Sequence, residues 1–101
     1  MTILKEYVKR LETRYSIDKV ILFGSRARGD EFAESDVDLV IVSDSFEGIH
    51  FLDRISAVLE LWDAKIALEP LCYTRREYEE MASGLTIVQA ATAEGIEIRA
   101  H

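Results

Sequence analysis

The chain contains two apolar runs separated by a turn-forming, charged stretch, and the second run opens with two aspartates. Residues 20 to 23 (VILF) end at Gly24-Ser25, and eleven residues later Asp36 opens DVDLVIV, with Asp38 two positions on. An ionised carboxylate in a low-dielectric strand needs a partner, a metal or a proton. Strand side chains alternate, so Asp36 and Asp38 are expected on one face, their Cα atoms about 6.6 Å apart at ~3.3 Å per residue. Carboxylates at that spacing suit two divalent ions roughly 3.5–4 Å apart. Val37, Leu39 and Ile41 then face a core on the other side.

If the two strands run antiparallel, the loop between them returns Gly24 and Ser25 to the acids. Gly24 permits close backbone approach. Backbone N–H groups there and the Ser25 hydroxyl are suited to phosphate oxygens. Arg26 and Arg28 add planar forks for the same oxygens. Each part alone has an ordinary reading: a turn, a strand start, and surface arginines balancing Asp30, Glu31 and Glu34. Their occurrence together is what favours a phosphate and metal site.

The remaining pattern outlines one small domain over residues 1–101. Leu4, Tyr7, Val8 and Leu11 predict an amphipathic helix over residues 3–15. Residues 19–23 and 36–42 read as strands, 25–30 as a short helical turn and 31–35 as a loop. Phe51, Leu52, Ile55, Val58, Leu59 and Trp62 mark a helix over about 49–62. Residues 64–71 suggest a third strand, at an edge or ending near Pro70, which has no N–H to donate. Thr74 with Glu77 matches a capping box for a helix through Met81. Residues 85–94 predict a last helix stopped by Gly95, and the tail, Ile96 to His101, either adds a short strand or frays. The order α-β-β-α-β-α-α describes an α/β (α+β) fold, a small mixed sheet with helices packed on it.

Composition narrows the function classes. With 49% apolar residues the chain is expected to fold. A net charge of −7 argues against a direct nucleic-acid surface but not against a nucleotide held through metal ions. The single cysteine, Cys72, precludes an internal disulfide and fits a reducing compartment. No apolar run approaches the ~18 residues of a membrane span, and MTILKEYVKRLE lacks a signal-peptide core. These features fit a soluble cytoplasmic protein. Cys72 reads as packed, His50 and His101 as surface residues, Tyr73 and Tyr78 as core or rim residues, Arg75 to Glu80 as a solvated helix face, and Asp63 as a cap on the turn after Trp62.

GSRARGDEFAESDVDLVIV resembles the signature of the minimal nucleotidyltransferases, a branch of the DNA polymerase β-like superfamily. Gly24, Ser25, Arg28, Gly29, Ser35, Asp36, Asp38 and Leu39 match its pattern. The resemblance implies that fold and a reaction in which two Mg²⁺ ions direct a hydroxyl onto the α-phosphorus of a nucleoside triphosphate, with ATP as substrate. Asp36 and Asp38 would hold metal, and Gly24 and Ser25 the outer phosphates. The family places a third carboxylate between apolar residues on a later strand; the matching stretch Ile66-Ala67-Leu68 has alanine there. Glu69, two residues on, is expected on the same side as Ala67, either as the third metal ligand or as an ordinary edge-strand acid. Asp63 is a weaker candidate. Members of this family often pair with a HEPN-domain protein in toxin–antitoxin modules, and some adenylylate that toxin. The resemblance therefore implies a HEPN-type partner for this chain as antitoxin. The alternative is a weak or inactive nucleotide- and metal-binding module that neutralises a partner by contact. Oligomeric state, acceptor and base preference stay open.

Overall fold

A computed structural model of the protein describes residues 2–23, 37–82 and 95–99. The predicted turn at 25–30, loop at 31–35 and helix at 85–94 lie outside the described residues. Helix α1 (Thr2–Glu12) leads into strand β1 (Ile17–Phe23), and strand β2 (Val37–Ser43) is followed by a 3₁₀ turn, Asp44–Phe46. Helix α2 (Phe51–Leu59), strand β3 (Leu68–Tyr73), helix α3 (Arg75–Ala82) and a two-residue strand β4 (Ile96–Glu97) complete the order.

The four strands form one mixed sheet in the order β3-β2-β1-β4. β1 is antiparallel to both β2 and β4, while β2 and β3 are parallel. A parallel pair needs a crossover, and α2 supplies it. β2 lies at the centre of the packing and is apolar on both sides. Val37, Leu39 and Ile41 join Tyr7, Leu11, Phe46 and Val58 in one core cluster. Val40 and Val42 join Ile21, Tyr73 and Tyr78 in a second, with Met81 of α3 packed against it. Burial on both faces explains why 37–42 reads as a nearly continuous apolar run, as strands covered on both sides do. Asp38 is the one residue of β2 that is not fully buried.

Polar side chains fasten the helices. The Tyr7 hydroxyl donates to the Val58 carbonyl at 2.6 Å, and its ring meets Trp62 edge-on at 5.0 Å. Arg10 donates through Nε to Leu61 O at 2.9 Å and through Nη2 to Asp63 Oδ1 at 3.2 Å. Asp63 is thus engaged with α1, a long-range pairing that no local pattern announces. α2 is shorter than 49–62 because His50 caps its start, its Nδ1 accepting from Leu52 N at 3.2 Å.

The third strand spans 68–73 rather than 64–71. Residues before it are taken up in a turn, with Trp62 N donating to Leu59 O at 3.0 Å and Trp62 Nε1 to Ile66 O at 2.7 Å. The expected span 64–71 therefore starts the strand four residues early and ends it two residues short. β3 is an edge strand, as Pro70 requires. The register, with Val37 N donating to Ala67 O at 2.9 Å, turns the backbone groups of Leu68, Pro70 and Cys72 outward. Pro70 has no donor there, and Cys72 O accepts from Arg54 Nη1 at 3.2 Å. The edge is blunted against strand addition.

The same Arg54, 7% exposed, joins three elements. Nε donates to Ile49 O at 2.8 Å, and the guanidinium grips both carboxylate oxygens of Glu77 at 2.6 and 3.3 Å. Glu77 Oε1 also accepts from Thr74 N at 2.8 Å, while Thr74 Oγ1 accepts from Glu77 N at 3.2 Å, which completes the expected capping box. The stretch 75–80 is consequently not a purely solvated face: Glu77 is half-buried in this pair and Tyr78 is buried against the sheet.

The Arg54 hydrogen bond, followed by those of Thr74, holds the Glu77 carboxyl below its ordinary 4.5. A depressed folded-state value gives stability that is present above the unfolded value and is lost as pH falls through the folded one. Glu77→Gln should cost about 2 kcal/mol. That is below the usual range for breaking a buried pair, since the Glu77 side chain is 42% exposed and Arg54 keeps two carbonyl acceptors. Urea unfolding checks this, and the variant should lose part of the wild-type decline in stability below pH 4.5.

Candidate functional site

Two of the acids singled out in the sequence meet in the sheet. Asp38 on β2 has Glu69 on β3 as its Cα partner on one side and Phe23 on β1 on the other. Partners in register present their side chains to the same face, and adjacent strands lie about 4.8 Å apart. Asp38, Val40 and Val42 share a face by alternation, and the two valines belong to the cluster under α3. The row Phe23–Asp38–Glu69 therefore lies on the α3 side of the sheet, at the end where β2 and β3 begin.

The local sequence explains why this row is more open than the rows beside it. Leu68 and Pro70 are buried while Glu69 between them is exposed, and Val37 and Leu39 are buried while Asp38 is half-exposed. Each acid thus sits between two core-facing neighbours that fix its strand, and each carboxylate stays accessible. The apolar-acid-apolar pattern sought around Ala67 occurs instead at Leu68-Glu69-Pro70. The parallel register shows its significance, since position 69, not 67, lies opposite Asp38.

Gly24, Ser25, Arg26, Arg28 and Asp36 lie outside the described residues. Chain continuity constrains them only at their ends: Gly24 follows Phe23, the partner of Asp38, and Asp36 precedes Val37. Among the described residues no group of three or more His, Cys, Asp or Glu side chains is placed to hold a metal ion. The Asp38–Glu69 pair supplies two hard oxygen donors at adjacent positions, the donor chemistry that Mg²⁺ prefers.

Other chemically active groups are committed to structure. Cys72 is fully buried in the core below β3, and burial pushes its thiol up to about 12. Tyr73 is buried against Phe51 with ring centroids 5.6 Å apart, and burial raises its hydroxyl above the ordinary value. Tyr78 carries the Lys19 ammonium over its ring at 5.2 Å. His50 is exposed and serves as the α2 cap. Among the described residues no helix is long and apolar enough to cross a membrane.

Comparisons with known proteins bear on the domain as a whole. Residues 4–83 match the family model described as the nucleotidyltransferase domain. Three proteins of Methanocaldococcus jannaschii, each carrying the name "putative protein adenylyltransferase", are similar to the chain. One is 35% identical over 77 residues, covering 72% of this chain and 78% of that protein. Another is 31% identical over 88 residues, covering 77% and 86%. The third is 54% identical over 43 residues, a match spanning 41% of this chain and 43% of that protein. A crystal structure titled a "putative nucleotidyltransferase" from Sulfolobus solfataricus superposes with a TM-score of 0.63 at 25% identity, covering 78% of this chain and 70% of that one.

A buried thiol with a raised pKa is a poor nucleophile, because the thiolate is the reactive form. Iodoacetamide at pH 8 should leave Cys72 of the native protein essentially unmodified and alkylate it within minutes in 6 M guanidinium, as read by intact-mass spectrometry.

Proposed function

Since the chain belongs to the nucleotidyltransferase domain family and is a nucleotidyltransferase, we propose that it transfers AMP from ATP to a hydroxyl of a partner protein. The observation that carries the site assignment is the register that pairs Asp38 with Glu69 on an accessible part of the sheet. In this reading Asp36, Asp38 and Glu69 are the metal-holding acids. Gly24 and Ser25 grip the outer phosphates through backbone N–H groups and the serine hydroxyl, and Arg26 and Arg28 add bidentate contacts.

In the reaction, the acceptor oxygen bonds to the α-phosphorus, the bond from that phosphorus to the α,β-bridging oxygen breaks, pyrophosphate leaves, and the acceptor hydroxyl's proton passes to solvent. Mg²⁺, when bound, neutralises triphosphate charge and makes the acceptor hydroxyl easier to deprotonate. The chain's own part is mostly placement. Strands β2 and β3, anchored by Val37, Leu39, Leu68 and Pro70, fix the two acids' backbones before any ligand arrives, which lowers the ordering cost on binding. The buried residues around Asp38 limit water on the core side of the site.

The relatives' names support a protein as acceptor. We place that acceptor on a HEPN-type toxin, with this chain as its antitoxin, both in the cytoplasm, where ATP and Mg²⁺ are at hand. An adjacent HEPN-type reading frame in the genome would be the simplest support for that partner.

Asp36→Asn combined with Asp38→Asn should lower transfer of label from α-labelled ATP by at least about a thousandfold, with the thermal midpoint within a few degrees of wild type. Full activity in that variant would defeat the assignment of Asp36 and Asp38 as the metal-holding acids. Complete neutralisation of the partner by it would instead favour inhibition by contact. Glu69→Gln should lower the rate on the order of a hundredfold; an unchanged rate would return Glu69 to the status of an edge-strand acid.

A further inference from the structure

Among the described residues, the outward side of α2 carries apolar residues that belong to neither core cluster. Leu52 is 64% exposed and Leu59 38%, and they stand seven positions apart on one helix face, with half-buried Ile55 between them. Ile49, in the turn before the helix, is 39% exposed. The core requires only the adjacent arc, where Val58 is fully buried and Ile55 is packed in part. An apolar margin of this kind, wider than the core contact, marks a place where something else packs.

Charge indicates what that is. Past the far end of α2, Glu60 pairs with Arg14, just beyond α1, at 3.6 Å, and Asp63 with Arg10 of α1 at 3.2 Å. Around the most exposed leucine the acids differ. Asp53 adjoins Leu52 in sequence, Glu47 lies two residues before Ile49, both are exposed, and neither belongs to an ion pair among the described residues. A second copy of the chain docked by two-fold symmetry would set these acids against their own equivalents, which is unfavourable. A partner with apolar side chains flanked by lysine or arginine meets no such penalty.

The topology gives the surface a use. Because β2 and β3 are parallel, the crossover helix α2 runs back along them, so its Leu59 end lies at the end of the sheet where Asp38 and Glu69 stand. α2 packs on the face of the sheet opposite the Asp38–Glu69 row, so a partner lying along α2 reaches the two acids by extending round the Leu59 end of the sheet.

We propose that Ile49, Leu52 and Leu59 form the docking surface for the acceptor protein, which presents an apolar patch flanked by basic side chains. The acceptor role rests on the nucleotidyl-transfer reading above; the docking surface itself does not. A photo-reactive benzoylphenylalanine at position 52 of the full chain, expressed in the source cells, tests it against the same probe at exposed Glu79 on α3. The expected result is a protein cross-linked at 52 and not at 79, whose purified form binds the wild-type chain. Leu52→Gln should weaken that binding about tenfold while leaving the thermal midpoint unchanged. Glu47→Lys with Asp53→Lys should weaken it more at low salt than at high salt. Cross-linking only to second copies, none above the Glu79 control, or equal affinity of the Leu52→Gln chain overturns the proposal. Asp38→Asn separates the two readings: it should bind the partner as wild type does while transferring no label. If it binds normally and still transfers label, the catalytic assignment fails and the docking surface stands.

Discussion

Burial of β2 on both faces is the constraint on which the described fold depends. One strand supplies Leu39 and Ile41 to the α1 and α2 side and Val40 and Val42 to the α3 side, all nearly free of solvent. Each such side chain contributes roughly 1.5–3 kcal/mol relative to exposure. A strand with so many core contacts cannot slip by one residue, because a slip would reverse every side chain. The register with β1 and β3 is therefore rigidly set, and with it the juxtaposition of Asp38 with Glu69 and Phe23. Tight packing along five consecutive positions is what holds one half-exposed carboxylate in a fixed place at the strand's beginning.

The helices are tied together by polar groups rather than by apolar contact alone. Arg54 spans α2, the outer edge of β3 and the start of α3, and Tyr7 and Arg10 clasp α1 to the end of α2. Buried charge is tolerated because each guanidinium nitrogen that donates has an acceptor. No buried side-chain nitrogen or oxygen among the described residues lacks a partner. The arginine serves two further purposes, since it occupies an edge carbonyl that would otherwise be open to another strand and lowers the pKa of the carboxylate that caps α3.

Local signals in the chain were legible where one residue type has one physical use. The capping box at Thr74 and Glu77 and the edge position of Pro70 were readable from local chemistry, whereas the antiparallel return of β2 onto β1 and the tail strand were open alternatives that the sheet decides. Asp38 could be placed on a strand from spacing. What could not be read were choices made by distant partners. The start of β3 depends on a turn held by Trp62 and Ile66, and the roles of Arg54 and Asp63 depend on residues far along the chain. Glu69 was visible as an acid two residues past the expected place, but only the parallel register puts it opposite Asp38. The phosphate-gripping assignments to Gly24, Ser25, Arg26 and Arg28, and that of Asp36, rest on the sequence pattern alone.

Pro70 has an effect beyond closing the sheet edge. A residue that precedes proline is sterically kept out of the helical region and pushed towards extended backbone. Glu69 is that residue. Its main chain is restrained by covalent structure as well as by the ladder to β2, even though it lies on the outermost strand, where fraying is easiest. The proline that leaves the sheet without a donor at its margin thereby stiffens the carboxylate beside it, so that an acid at the periphery behaves as though it stood on an interior strand.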